Sequence, residues 1–115
     1  MAAEKNFENR LKKFLEDEGC WFVKFFANAY TKSGIPDILC CSNGHFIAVE
    51  VKAPNGKPSE LQKWNIKKIN ESGGIAVILY PDQFDDFKGM IQLLNDCCFK
   101  TARVICRKLN ERWDK

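Results

Sequence analysis

The strongest constraint on the fold is a short string: DILCC, then SNG, then HFIAVEVK, over residues 37–52. Two β-rich runs flank an Asn43-Gly44 pair, the strongest short-range signal for a two-residue hairpin turn. A hairpin closed by that turn has a fixed register. Ser42 pairs with His45, so Cys41 faces Phe46, Leu39 faces Ala48 and Asp37 faces Glu50. Directly opposed residues project to the same side, with Cβ atoms about 5 Å apart. Strand alternation puts Lys52 on that side too. Two carboxylates and an ammonium therefore converge at one end of a hairpin that otherwise reads as built for burial, through Ile38, Cys40, Ile47, Val49 and Val51. A single slip of register would remove the convergence.

Other elements assemble around the hairpin. Phe7, Leu11, Phe14 and Leu15 recur at helical spacing, which predicts an amphipathic helix over 4–18, ended by Gly19. Residues 20–26, CWFVKFF, read as a strand, and ANAYTKSGIP as a polar loop. Ser59 with Gln62 is a capping box that opens a helix to about Ser72, stopped by Gly73-Gly74. Ile75 to Tyr80 is a continuous apolar run, the pattern of a buried strand. Phe84, Phe87, Ile91 and Leu94 mark a third helix. Ala102, Ile105, Cys106, Leu109 and Trp113 mark a fourth, although Val104-Ile105 also suits the start of a strand. The order α-β-β-β-α-β-α-α describes a mixed sheet with helices packed against it.

Composition excludes several classes. A chain of 115 residues allows one domain, and 45% hydrophobic with 29% charged residues is ordinary for a folded globule. No apolar run approaches the roughly 18 residues that a membrane helix needs. The start MAAEKNFENR lacks the layout of a signal peptide, so a cytoplasmic location is expected. Cys20, Cys40, Cys41, Cys97, Cys98 and Cys106 show no C-x-x-C spacing, and reduced, buried thiols are expected rather than disulfides or zinc. Net charge is only +3, but it is uneven. Residues 52–68 hold five lysines against one glutamate, and 97–115 hold six basic against two acidic residues. Such patches suit a polyanion, although charge alone fits solvated helix faces better.

Opposed like charges destabilise a sheet, and a divalent cation between Asp37 and Glu50 would turn repulsion into coordination. Magnesium favours one or two protein carboxylates, completed by water and phosphate oxygens. Lys52 would then stand where a nucleophile or developing phosphate charge is met. Taken singly, Asp37 also fits a turn residue after Pro36, and Glu50-Lys52 a surface pair. Gln62 fits the capping box, yet it falls among Leu61, Ile66 and Ile69 on the apolar helix face and would need polar partners there. Glu8, on the flank of the first helix, fits a solvated glutamate.

The string Gly34-Ile35-Pro36-Asp37, then Glu50-Val51-Lys52, Gly56 and Ser59-Glu60-Leu61-Gln62 resembles the PD-(D/E)XK nuclease superfamily. It is most similar to the VRR-NUC family, the virus-type replication-repair nucleases, over about residues 4–80. The resemblance implies a restriction-endonuclease-like αβββαβ core within a single domain spanning 1–115. That core has a central four-stranded mixed sheet flanked by helices, and residues 82–115 form a C-terminal helical extension outside the likeness. It implies Mg2+- or Mn2+-dependent hydrolysis of DNA phosphodiesters, in branched DNA such as a Holliday junction. Asp37, Glu50 and the Val51 carbonyl would be metal ligands, with Glu8 a further acidic candidate; Lys52 would be the catalytic lysine and Gln62 its supporting glutamine.

Small members of this kind tend to be homodimers that act with a helicase or replication protein, in a phage or bacterial host cytoplasm. Lys24, Lys32, Lys57, Lys63 and Lys67 would hold phosphates as a group. Tyr30 fits base stacking or an ordinary loop aromatic. Trp64 has three readings, in order: packed by the tail helix, buried in a dimer interface, or near DNA. The amphipathic tail with Trp113 is a plausible dimer element. A DNA-binding module that has lost the chemistry, or an interaction protein with merely solvated hairpin charges, are the alternative readings.

Overall fold

In the computed structural model, which describes residues 2–114, the hairpin forms in the expected register. Strand β2 (Ile38–Ser42) pairs antiparallel with β3 (His45–Val51), Ser42 opposite His45 and Leu39 opposite Ala48. Asn43 and Gly44 take φ values of 49° and 80°, the left-handed pair that a type I′ turn requires. The tip is then pinned: the Asn43 side-chain amide donates to the Leu94 carbonyl at 2.7 Å, and Ser42 Oγ bonds the Asn95 side chain at 2.9 Å.

Strand β1 (Trp21–Lys24) lies antiparallel on the outer side of β2, and β4 (Ile75–Leu79) lies parallel on the outer side of β3. The sheet is therefore mixed, in the order β1-β2-β3-β4. A parallel neighbour needs a crossover, which helix α2 (Glu60–Glu71) supplies. Its N-terminus carries the complete capping box: Ser59 Oγ accepts from the Gln62 N–H, and Gln62 Oε1 accepts from the Ser59 N–H.

Alternation splits the sheet into two buried faces. Ile47, Val49 and Val51 join Phe7, Leu11 and Leu15 of α1 (Ala2–Asp17) in the larger core. The same core takes Phe87, Met90, Ile91 and Leu94 of α3 (Phe84–Asn95), and Ala102, Cys106 and Leu109 of α4 (Phe99–Asn110). A single 3-10 turn over Pro81–Gln83 leads into α3. On the opposite face, Ala48, Ala76, Ile78 and Tyr80 pack with Ile66 and Ile69 of α2. Glu50 lies on this second face, directed toward α2.

The tail closes the outer edge of β4. Asn70 accepts from the Ala76 N–H and donates to its carbonyl, both at 2.9 Å. Asn110, buried in α4, donates to the Ala76 carbonyl at 2.9 Å and accepts from the Ile78 N–H at 3.3 Å. Side-chain amides thus occupy backbone groups that an edge strand would otherwise present.

Several expectations need correction. Asp37 precedes β2 and Lys52 follows β3 instead of lying in the strands, because the β2–β3 ladder ends at Ile38 and Val49 and the β3–β4 ladder at Val51 and Leu79. Residues 99–110 are helical through Val104-Ile105, so the strand alternative does not occur there. Trp64 is not packed by the tail: it is 53% exposed, and Trp113, just beyond α4, packs against the cluster of Ile66, Ile78 and Tyr80 instead. The apolar stripe of α4 is buried within the chain, which removes the reason for reading it as a dimer element. Only Cys40 and Cys106 are buried; Cys20 is half-buried, Cys41, Cys97 and Cys98 are exposed, and all are free thiols.

Because α3 shares the sheet's own core, Ile91→Ala should lower unfolding stability by about 2–4 kcal/mol, with an unchanged denaturant slope. Urea titration followed by circular dichroism checks this. A loss below about 0.5 kcal/mol would mean that α3 does not contribute to that core.

Candidate active site

The loop entering β2 sets the first carboxylate. Gly34 sits at φ 77°, and a Cβ there would meet Leu61 and Asn65 of α2 at 2.9 Å, so only glycine fits. Asn65 locks the loop by donating to the Gly34 carbonyl at 3.0 Å. Pro36 follows, and Asp37 is then fixed twice. Its carbonyl accepts from the Phe25 N–H at 2.8 Å, and its Oδ2 accepts from the Val51 N–H at 2.8 Å.

Asp37 and Glu50 come together as the hairpin arithmetic anticipates. Glu50 is buried, and its carboxyl is pushed up to about 8. Burial is the main cause, followed by the charge of Asp37 and a hydrogen bond with its side chain; Lys52 acts in the opposite direction. Gln62 Nε2 donates to Glu50 Oε2 at 3.1 Å, and Lys52 Nζ lies 3.8 Å from the same oxygen. Gln62 thus serves both roles open to it: its oxygen caps α2, while its amide nitrogen steadies the buried carboxyl.

Lys24 and Glu8 form a second layer. Lys24 Nζ bridges Glu8 Oε1 at 2.8 Å and Asp37 Oδ1 at 3.3 Å. Lys12 Nζ also reaches Glu8, at 2.9 Å from Oε2. Burial alone would raise the Glu8 carboxyl, but the hydrogen bonds and charges of Lys24 and Lys12 outweigh it and hold the group at about 2. Glu8 is therefore a buried anion held by ammonium groups, not a solvated glutamate. Lys24 stands between it and Asp37.

The remaining basic residues disperse. Lys32 and Lys57 are exposed, Lys63 pairs with Glu60 at 3.0 Å, and Lys67 pairs with Asp114 at 3.2 Å. Tyr30 is 98% exposed. No local signal in the sequence marks Asn65, because its role depends on how α2 meets the Gly34 loop. The bridging of Lys24 is partly visible in spacing: it pairs with Ile38, the neighbour of Asp37, but only once β1 is placed beside β2.

The donor set suits a hard divalent cation. Two carboxylates confront each other, and the charge of one raises the pKa of the other, a conflict that a cation would relieve. Among the described residues, no group of three or more His, Cys, Asp or Glu side chains converges on a metal position. Protein ligation would thus consist of these two side chains and main-chain oxygen, in keeping with the sparse protein ligation magnesium accepts.

A four-stranded mixed sheet flanked by helices, with a Pro-Asp and a Glu-x-Lys set meeting at one end of its hairpin, defines a restriction-endonuclease-like fold of the PD-(D/E)XK class. Residues 2–79 match the sequence model of the archaeal Holliday junction resolvase (Hjc) family, and the chain belongs to that family. Its members are DNA-acting endonucleases within the PD-(D/E)XK superfamily. No individual curated protein matches the chain.

With EDTA present, the raised Glu50 carboxyl predicts a pH-dependent cost. The folded protein keeps a proton on Glu50 that the unfolded chain releases near 4.5, so stability falls as pH rises from 4.5 toward 8. Glu50→Gln removes that fall. In urea unfolding, wild type and variant should differ little at pH 5, while at pH 8.5 the variant should be more stable by on the order of 2–4 kcal/mol. An equal gap at both pH values would show that Glu50 is not held neutral.

Proposed function

We infer that the protein is a metal-dependent, structure-selective endonuclease that cuts branched DNA, with the four-way junction as its principal substrate. One observation carries the reading: in a chain of this family, two carboxylates confront each other beside Lys52 and Gln62 at the hairpin end. Residues 1–115 act as one unit in this reading. The spacing of its motif also suits the narrower VRR-NUC grouping within the superfamily.

Asp37 and Glu50 would hold Mg2+ or Mn2+ together with the Val51 carbonyl. Along an extended strand, a residue's N–H and C=O open to the same edge, and the Val51 N–H already faces Asp37. A bound ion would supply charge neutralisation and activation of water. Lys52 would orient the attacking water and stabilise charge on the scissile phosphate. Gln62 keeps the Glu50 carboxyl in place, and Lys24, itself anchored by Glu8, steadies Asp37. Glu8 would reach an ion only if Lys24 moved aside. Lys32, Lys57, Lys63 and Lys67 would meet flanking phosphates.

Symmetric cutting of a junction needs two sites, so the reading includes a homodimer. Trp21, Val23 and Phe46 are exposed on one face of the sheet, beyond the cover of α2, and offer apolar surface for it. A helicase or replication protein would present the branched DNA, in the cytoplasm of a cell or phage-infected host.

Cleavage of a labelled four-way junction, beside a matched duplex, tests the reading. Wild type should cut the junction with Mg2+ or Mn2+ and not with EDTA. Asp37→Asn and Lys52→Ala should each lose at least about 100-fold in rate while still binding the junction. Binding without any cutting by wild type would make the protein an inert DNA-binding module instead. Light scattering on the same samples should give twice the chain mass, and Trp21→Lys should return it to the monomer value.

A further inference from the structure

Beside the carboxylates, a groove of about 580 Å³ runs between the loop at 54–58, the start of α2 and the end of the tail. Its cationic lining is Lys57, Lys63 and Arg112; among the described residues no aspartate or glutamate lines it, and Glu60 pairs with Lys63 from outside it. Arg112 and Trp113 lie beyond residue 79, where the family match ends. The Arg112 guanidinium stacks 4.0 Å above the Tyr80 ring and pairs with the Asp82 carboxylate from outside the groove. Tyr80 is itself fixed, its hydroxyl donating to the Gly56 carbonyl at 2.8 Å. The Tyr80 hydroxyl is raised by burial and drawn back by the charges of Arg112 and Lys63.

The groove adjoins the cleavage centre. A Cβ on Gly56 would lie 3.3 Å from Lys52 Cδ, and Lys63 follows Gln62 directly. A strand leaving Lys52 therefore meets the groove next. DNA carries one phosphate per about 3.4 Å of helix axis on each strand, so more than one charge would fall along such a path. A stacked, pre-oriented guanidinium suits phosphate better than an ammonium does, because its fork binds two oxygens and loses less freedom on doing so.

We propose that the tail adds a second phosphodiester-binding subsite, in which Arg112, with Lys57 and Lys63, grips the DNA strand that leaves the cleavage centre. Tyr80 and Trp113 form its apolar wall. This rests on the nuclease reading above and assigns a role to Tyr80, Arg112 and Trp113, outside the family match. Asp82 competes with the phosphate: in free protein it holds Arg112, and DNA must displace it.

Fluorescence anisotropy with a labelled four-way junction, in EDTA so that nothing is cut, tests the proposal. Arg112→Gln should weaken binding about tenfold at low salt and reduce the slope of log affinity against log salt by about 0.9. Asp82→Asn should tighten binding several-fold, an effect in the opposite direction that a purely structural Arg112–Asp82 pair would not produce. Arg112→Lys should recover much of the lost affinity, which separates charge from packing if Arg112→Gln melts early. Arg107→Gln, an exposed arginine outside the groove, should bind within twofold of wild type. If wild type binds DNA while Arg112→Gln and Asp82→Asn both match it in affinity and salt slope, the subsite is overturned and the nuclease reading stands. If wild type binds neither junction nor duplex, both fall.

Discussion

Asp37 and Glu50 occupy one corner of the sheet, and much of the surrounding chemistry is arranged around their mutual repulsion. A carboxylate pair at the edge of an apolar layer is unfavourable on two counts, desolvation and like charge. Around it lie the Val51 N–H, the Gln62 amide, and the ammonium groups of Lys24 and Lys52, each directed at one of the two groups. None removes the conflict, since the Glu50 carboxyl is still pushed up to about 8. The corner is sustained by the two apolar layers on either side, in which Ile47, Val49 and Ile75 on one face and Ala48, Ala76 and Ile78 on the other are wholly buried. Stability drawn from those layers holds in place a site that is unfavourable on its own.

What the sequence made legible follows from how local each signal is. Asn43-Gly44 counts residues outward on both strands, so the meeting of Asp37 and Glu50 could be read before any tertiary contact was known. Ser59 and Gln62 satisfy each other within one helical turn, so their box was equally legible. Glu8 was harder. Its ammonium partner Lys24 is sixteen residues away, and the two meet only when α1 lies across the end of β1. Trp64 and Trp113 show a different limit: a helical wheel locates an apolar arc but not which neighbouring element fills it. Residue type alone places Cys97 and Cys98 in the interior, yet they lie in the short turn between α3 and α4, where little covers them.

The family match ends at residue 79, but the folded core does not. Helices α3 and α4 complete the layer against α1, and Asn110 reaches back to the main chain of β4. Arg112 and Trp113 then arrive beside Tyr80 and the loop at 54–58 because α4 is anchored in this way. Structural and binding contributions of the tail are consequently hard to separate by deletion, and single substitutions at its end are the more informative probes.

The amides of Asn70 and Asn110 also leave the sheet polarised in how it can grow. With the Ala76 N–H and C=O and the Ile78 N–H occupied, another strand finds little of a ladder to join there. The opposite margin is β1, which ends the sheet and carries Lys24, with no strand beyond it among the described residues. Growth by strand addition, whether from a binding peptide or an aggregating neighbour, is thereby directed to the β1 margin. Any such addition would be felt at Asp37 through Lys24, so the two ends of this small sheet are not equivalent in their tolerance of contact.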